Sequence, residues 1–355
     1  MKQKKRFEVI QCSGSPFEIG IQIGSACRSN IDKALEMTLF GLGMVHGAGK
    51  ADIVANALKF LPGIKEFNPD LIERLKGLAK GADITFEEAV TLQCAFDLGG
   101  YYGQLSSMCT SFAVTGPASE HGRTILGQTI DWFPGCPMDL AKIVDSGGGV
   151  RLSLILWGVV EYTLTSRGFG ICANGTWASV EKYLFNLPVS VYLNKAMNQD
   201  TFDDAMAILH DNARGLGYYH LASSEHEMLG IESIQDDFEI ITPQKNILVH
   251  ANHYLTERFK GYDMANLIVP DSFDRVDRIR TLINDKYGSI TPEVMMSFMS
   301  DHDRYPYSIC RHVDSNQPLG AASETLAAYI MIPETGFLYT AWGNPCVYEF
   351  EEYRL

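Results

Sequence analysis

The chain has 355 residues, 29 basic against 43 acidic, a formal charge of −14, and 46% hydrophobic but only 20% charged positions. That composition fills a sizeable core, so a disordered or low-complexity polypeptide is excluded, and the acidic balance opposes nucleic-acid phosphates and anionic lipid surfaces as partners. No apolar run approaches the roughly 20 residues that a bilayer crossing takes; the longest, residues 152–160, is strand-length and contains Gly158. The basic opening, Met1 to Arg6, is followed by Glu8, Gln11, Ser13 and Glu18 instead of an apolar segment, so a secretory signal is not expected. Eight cysteines (Cys12, Cys27, Cys94, Cys109, Cys136, Cys172, Cys310 and Cys346) are scattered without CxxC pairs or short metal-type spacings. They read as reduced thiols of a cytoplasmic protein with no metal or cofactor.

In chain order, the first hundred residues read mostly as helix, with apolar spacings of three and four over residues 16–44, 52–60 and 71–82. Thr85-Phe86-Glu87-Glu88 is a capping-box start to a helix running towards Phe96. From Ser111 the texture changes to short β-branched runs, over residues 111–115, 124–131, 150–160 and 162–173, with Gly and Pro between them. Helices return over residues 189–198, 202–211 and 272–286, and further strands are expected at 240–241, 247–250, 325–332 and 337–339. No internal repeat or Pro/Ser-rich linker marks the shift near residue 105, so one structural domain is expected.

The shift falls on Gly103-Gln104-Leu105-Ser106-Ser107-Met108-Cys109-Thr110-Ser111-Phe112, a flexible polar stretch running into a strand that starts near Cys109. The run Thr124-Ile125-Leu126-Gly127-Gln128-Thr129-Ile130-Asp131-Trp132 is a strand pattern ending in a carboxylate. A hairpin turning through residues 116–122 brings Asp131 beside the start of the first strand, where thiol and carboxylate share a site. From the residues alone, an inert buried thiol at Cys109 and a turn cap at Asp131 account for these positions as well.

Cys109-Thr110-Ser111-Phe112 followed by Gly127-Gln128-Thr129-Ile130-Asp131-Trp132 resembles the linear-amide C–N hydrolases of the N-terminal nucleophile (Ntn) superfamily. Within these the chain is most similar to the acyl-coenzyme A:6-aminopenicillanic acid acyltransferase-like peptidases, family C45. Gly14-Ser15-Pro16-Phe17-Glu18-Ile19-Gly20, His250-Ala251-Asn252-His253 and Gly343-Asn344-Pro345-Cys346 extend the resemblance over most of the chain. Choloylglycine hydrolases and acid-ceramidase-type amidases share the Cys-Thr and Gly-x-x-x-Asp themes. The resemblance implies an α+β fold, an αββα four-layer sandwich of two antiparallel sheets flanked by helices. It also implies a precursor that cuts its own Met108–Cys109 bond, with residues 1–108 retained as a helical small chain and 109–355 as the large chain.

An N-terminal Cys carries its own base, because an α-amine of reference pKa about 7.7 to 8.0 stands beside a thiol of about 8.5. By the family pattern Cys109 is the nucleophile that forms a thioester and Asp131 holds the α-ammonium. Asn252 is the first choice for a side-chain oxyanion donor and Asn174, at a strand end before Gly175, the second; a left-handed turn residue accounts for Asn174 equally. Gln128, Trp132, His253 and Arg311 are expected to line the substrate site, with Arg278 a further basic residue better explained as a solvated helix face. His250 and His253 allow an alternative, an unprocessed cysteine hydrolase with a Cys/His pair, although on a strand their side chains point to opposite faces. A non-catalytic binding protein of the same fold is the other alternative, to which Met108 before the Cys, where relatives often have Gly, lends weight. Gln128 stands where bile-acid and ceramide enzymes place Arg, which weakens those substrates, and residues 321–325 (Ala-Ala-Ser-Glu-Thr) lack the Arg of penicillin-forming members. The expected partners are a small-molecule amide or acyl donor, such as acyl-coenzyme A or an N-acyl amino acid, with no nucleic acid, no membrane, and an oligomer left open.

Overall fold

The computed structural model describes residues 2–103, 108–210, 215–235, 237–317 and 322–355. The stretch 104–107, expected to be flexible and polar, and the end of the 202–211 helix lie outside the described residues. The strands are β1 (Val9–Ser13), β2 (Ser111–Val114), β3 (Ile125–Trp132), β4 (Met138–Val144), β5 (Val150–Leu156), β6 (Val160–Thr165), β7 (Phe169–Asn174), β8 (Gly217–Ser223), β9 (Met228–Ile234), β10 (Asp237–Ile241), β11 (Ile247–His250), β12 (Glu324–Ile332), β13 (Phe337–Trp342) and β14 (Glu351–Arg354). They form an eight-stranded sheet, β1-β4-β5-β6-β7-β8-β9-β10, and a six-stranded sheet, β11-β2-β3-β12-β13-β14. Neighbouring strands are antiparallel except β1 and β4, which pair in parallel with Val9 opposite Leu140.

Period-2 alternation sorts the side chains of each strand into two layers. In β12, Ala328, Ile330 and Ile332 join a core with Val276, Ile279 and Ile283 of the helix Asp271–Asp285 and with Met295 and Phe298 of the helix Pro292–Met299. Tyr329 and Met331 point the other way, into the core between the sheets. In the eight-stranded sheet, Phe169, Ile171, Tyr219 and Leu221 face the helices Val189–Ala196 and Phe202–His210. The layers therefore run helix, sheet, sheet, helix, which is the expected αββα sandwich.

The residues before Met108 are built into this frame. Helix Pro16–Ala26 starts on a Ser15/Glu18 capping box and packs against Pro69–Ala82 through glycines on both sides. A Cβ on Gly20 would lie 2.1 Å from the Arg74 carbonyl oxygen, and one on Gly77 would lie 2.0 Å from that of Phe17. The backbones touch, so these glycines serve close approach. The Thr85/Glu88 capping box forms as expected and opens the helix Phe86–Gln93.

Several expectations change. The long helix over residues 16–44 is two, Pro16–Ala26 and Arg28–His46, breaking at Cys27. The run 150–160 is a strand and the start of the next, because Trp157 and Gly158 both take positive φ and reverse the chain. β1, β4, β8, β9 and β14 and the helix Pro292–Met299 were not anticipated; β8 and β9 carry buried Tyr, His, Ser and Glu where apolar residues signal a strand. Among the described residues no helix is long and apolar enough to cross a membrane.

Candidate active site

The anticipated β2–β3 hairpin forms, with Ser111 opposite Gln128 and Phe112 opposite Gly127. Beyond the paired strands it continues through Thr110, whose amide donates to Thr129 Oγ1 at 3.1 Å and whose carbonyl accepts from the Thr129 amide at 3.0 Å. Two residues earlier the Met108 amide donates to the Asp131 carbonyl oxygen at 3.2 Å. Gly127 lets β3 lie close on β12, since a Cβ there would sit 2.2 Å from the Tyr329 carbonyl oxygen. The hairpin thus sets Met108–Cys109 alongside Asp131, as the spacing predicted.

Cys109 is buried, and its carbonyl oxygen accepts from Asn174 Nδ2 at 3.1 Å and from an Arg275 guanidinium nitrogen at 2.8 Å. Tyr162 of β6, Cys172 of β7 and Tyr329 of β12 are held in their neutral forms by burial, reinforced electrostatically by the Cys109 thiol. Asn174 ends β7 as expected; its Oδ1 is buried without a hydrogen-bond partner.

Arg275 was not anticipated. It is 1% exposed and bonds Cys109 O, Thr110 Oγ1 at 2.9 Å, Asn252 Oδ1 at 2.8 Å and Asp271 Oδ2 at 2.7 Å. The signal was in the helix period: Ser272, Arg275, Val276, Ile279 and Ile283 share the buried face, whereas Arg278 turns outward to Asp301. Because a guanidinium only donates, its bond to Asn252 fixes that carboxamide with Oδ1 towards Arg275 and Nδ2 on the Gly175 carbonyl oxygen at 2.8 Å. Asn252 lies in the loop after β11, its own amide held by Ser272 Oγ at 2.7 Å.

Asp131 is fully buried and accepts from Thr325 Oγ1 at 2.7 Å and Thr129 Oγ1 at 3.2 Å. Burial lifts its carboxyl to about 6, against the opposing pull of Arg311, Arg275 and the two hydroxyls. Arg311, 1% exposed, reaches Asp271 and lies 3.4 Å from Ser323 Oγ. Its amide donates to Thr325 Oγ1 at 2.9 Å and its carbonyl oxygen accepts from the Thr325 amide at 3.0 Å, so the backbone of Arg311 positions the hydroxyl that binds Asp131. Met108 Sδ accepts from Ser323 Oγ at 3.1 Å.

Other expected residues sit elsewhere. Gln128 commits its carboxamide to the backbone of Ala173, Nε2 to O at 3.0 Å and Oε1 from N at 2.7 Å, and so staples the two sheets together. Trp132 packs edge-on to Phe96, Phe133 and Trp157. His250 ends β11, and His253 lies beyond it in a loop, so the opposite-face expectation fails: the rings stack 6.3 Å apart between Tyr218 and Phe273. His250 is bound to Glu232 at 2.7 Å and to Ala251 O at 3.0 Å; His253 turns Nδ1 to Ser272 Oγ at 2.8 Å, and burial lowers it to about 3. Cys310 and Cys346 are free thiols as expected, and the fold brings them beside His302 and His312. Beside Gly175 a small hollow of about 20 Å³ is lined by Phe96, Asp97, Thr176, Trp177, Tyr183 and Leu216 among others.

Residues 197–346 match the sequence model of a family described as acyl-coenzyme A:6-aminopenicillanic acid acyl-transferase. Over 324 residues the chain is 24% identical to the acyl-coenzyme A:6-aminopenicillanic-acid-acyltransferase 40 kDa form of Emericella nidulans, covering 88% of this chain and 87% of that protein. Similar solved structures include a conjugated bile acid hydrolase from Clostridium perfringens, with 11% identity, a TM-score of 0.43 and coverage of 70% of this chain and 97% of that one. Penicillin V acylase from Agrobacterium tumefaciens is 12% identical with a TM-score of 0.45, covering 66% and 83% of the respective chains.

Proposed function

We propose that this chain, a relative of the acyl-coenzyme A:6-aminopenicillanic acid acyltransferases, cuts its own Met108–Cys109 bond and then uses Cys109 as an N-terminal nucleophile on linear, non-peptide C–N amides. The observation that carries the reading is that contacts from three distant segments flank the Met108–Cys109 bond: the Asp131 backbone carbonyl takes the Met108 N–H on one side, Asn174 and Arg275 hold the Cys109 carbonyl on the other, and Arg275 also orients Asn252. Three chain segments thus hold the residues on either side of the bond to be cut.

In self-cleavage Cys109 Sγ attacks the Met108 carbonyl carbon, the amide becomes a thioester, and water releases the Met108 carboxylate and the Cys109 α-amine. That amine then takes the thiol proton as Sγ attacks the substrate carbonyl, and gives it to the departing amine; water or a second amine resolves the acyl-thioester. Asp131 keeps the ammonium in place. Asn252 Nδ2, with one hydrogen on Gly175 O and its orientation set by Arg275, has a second hydrogen for the oxyanion. The leader stays bound as the small chain, since β1 is hydrogen-bonded into the eight-stranded sheet. Both ring nitrogens of His250 already face oxygen acceptors, which argues against a Cys/His pair.

The test is to trap the thioester. Purified protein is mixed with an aliphatic acyl-coenzyme A or an N-acyl amino acid, quenched in acid and mapped by mass spectrometry. An acyl group on Cys109, absent from Cys109→Ala, is expected; acylation of another residue, or turnover that survives Cys109→Ala, would overturn the reading.

A further inference from the structure

The loop after the helix Pro292–Met299 and the segment after β13 meet at four side chains that the acyl-transfer chemistry does not use: His302, Cys310, His312 and Cys346. Their donor atoms all lie within 4.8 Å of one another. His312 Nε2 is 3.1 Å from His302 Nε2, 3.6 Å from Cys310 Sγ and 3.3 Å from Cys346 Sγ. A tetrahedral zinc ion with Zn–N of about 2.0 to 2.1 Å and Zn–S of about 2.3 Å needs ligand-to-ligand edges of roughly 3.3 to 3.8 Å. The three distances match those edges to within a few tenths of an ångström.

We propose that His302, Cys310, His312 and Cys346 form a structural Cys2His2 site for zinc. Two thiolates and two neutral imidazoles balance the dication, and binding releases the two thiol protons to solvent. All four positions are protein ligands, so the site is closed and has no place for a reacting water. Outer contacts support it as they do in built metal sites. The Cys310 amide donates to the Asp301 carbonyl oxygen at 3.1 Å, with the Asp301 carboxylate gripped by Arg278. The His312 amide donates to Pro306 O at 3.0 Å, and Asn344 Nδ2 lies 3.9 Å from Cys310 Sγ. His302 is exposed and His312 and Cys346 half-buried, which leaves an approach for the ion.

Arg311 stands between two of these ligands, and Asn344 Nδ2 also donates to the Arg311 carbonyl oxygen at 2.6 Å. The metal would pin both chain neighbours of the residue whose backbone holds Thr325 against Asp131. It is a positioning device, outside the reacting atoms. The Gly343-Asn344-Pro345-Cys346 motif gains a role from it: Asn344 braces Arg311 and Cys346 closes the metal shell.

The experiment uses the full chain, purified with a reductant and without chelators. Elemental analysis should find close to one zinc per chain, and exchange for cobalt should give tetrahedral visible bands with a thiolate charge-transfer band. His302→Ala and Cys346→Ser, one exposed and one half-buried, should each weaken zinc binding at least about a hundredfold. Folded protein with negligible zinc after reconstitution, undiminished binding in both variants, or a Cys310–Cys346 disulfide in freshly isolated metal-free protein would each overturn the proposal. None of these readouts needs turnover, so they fail or succeed independently of the Cys109 mechanism.

Discussion

Two clusters of buried arginine sit in this molecule, and their hydrogen bonds end in different places. Arg275 and Arg311, with Asp271 between them, direct their donors to Cys109, Thr110, Asn252 and, through Thr325, Asp131. Arg74 pairs instead with Glu161 of β6, joining a leader helix to the eight-stranded sheet, and nearby Arg151 leaves Nε and one terminal nitrogen without hydrogen-bond partners. Buried charge alone therefore does not mark a catalytic centre. What distinguishes the first cluster is that Arg275 bonds the Cys109 carbonyl oxygen and Thr110 Oγ1, while the backbone of Arg311 holds the Thr325 hydroxyl that binds Asp131.

The comparison breaks at once if Cys109→Ala retains turnover, since that substitution is expected to abolish it. Alkylation of Cys109 in the native protein should have the same effect. Next in size is Asp131→Asn, where a loss of at least roughly a hundredfold in thioester formation is expected for cleaved protein, the scale of removing an acid/base participant. With burial lifting Asp131 to about 6, the carboxylate that we propose holds the ammonium is lost as pH falls through that value. Turnover should therefore rise through about pH 6, and Asp131→Asn should flatten this limb. The sign for stability is opposite: the folded state binds this proton more tightly than the ordinary carboxyl at 3.8 does, so Asp131 contributes less stability as pH rises from about 4 through about 6.

Arg74→Met sharpens the contrast from the other side. Leaving Glu161 buried and unpaired should cost about 3 kcal/mol or more in denaturant unfolding, while the turnover of the remaining folded enzyme stays near normal; a turnover loss as large as that of Asp131→Asn would erase the distinction between the clusters. Smallest of all should be Cys12→Ala and Cys136→Ala. Burial pushes these thiols to about 11 and about 12, so they stay protonated and should leave substantial activity.

The sequence made some of this readable and hid the rest for physical reasons. That Cys109 and Asp131 meet was legible because a hairpin obeys local rules, the strand lengths and the intervening turn determining which residues meet, whereas the roles expected of them came from the family resemblance. Arg275 was legible in principle, as a cation on the apolar face of its helix, but it competed with Arg278 three residues on, whose outward position no single residue reveals. The strand β1 escaped because five residues of mixed burial carry little pattern and its partner β4 lies far along the chain. His253 was misread because a strand's alternation was carried past the last paired residue, His250. The meeting of Cys346 with Cys310, His302 and His312 depends on how β12 and β13 return the chain, which no spacing encodes.

Denaturing intact-mass analysis of active protein tests the central claim most directly. Two fragments divided between Met108 and Cys109 are expected, the larger of about 27 kDa at ordinary residue mass, with Cys109→Ala remaining one chain. An active preparation that stays a single full-length chain would contradict the N-terminal nucleophile mechanism.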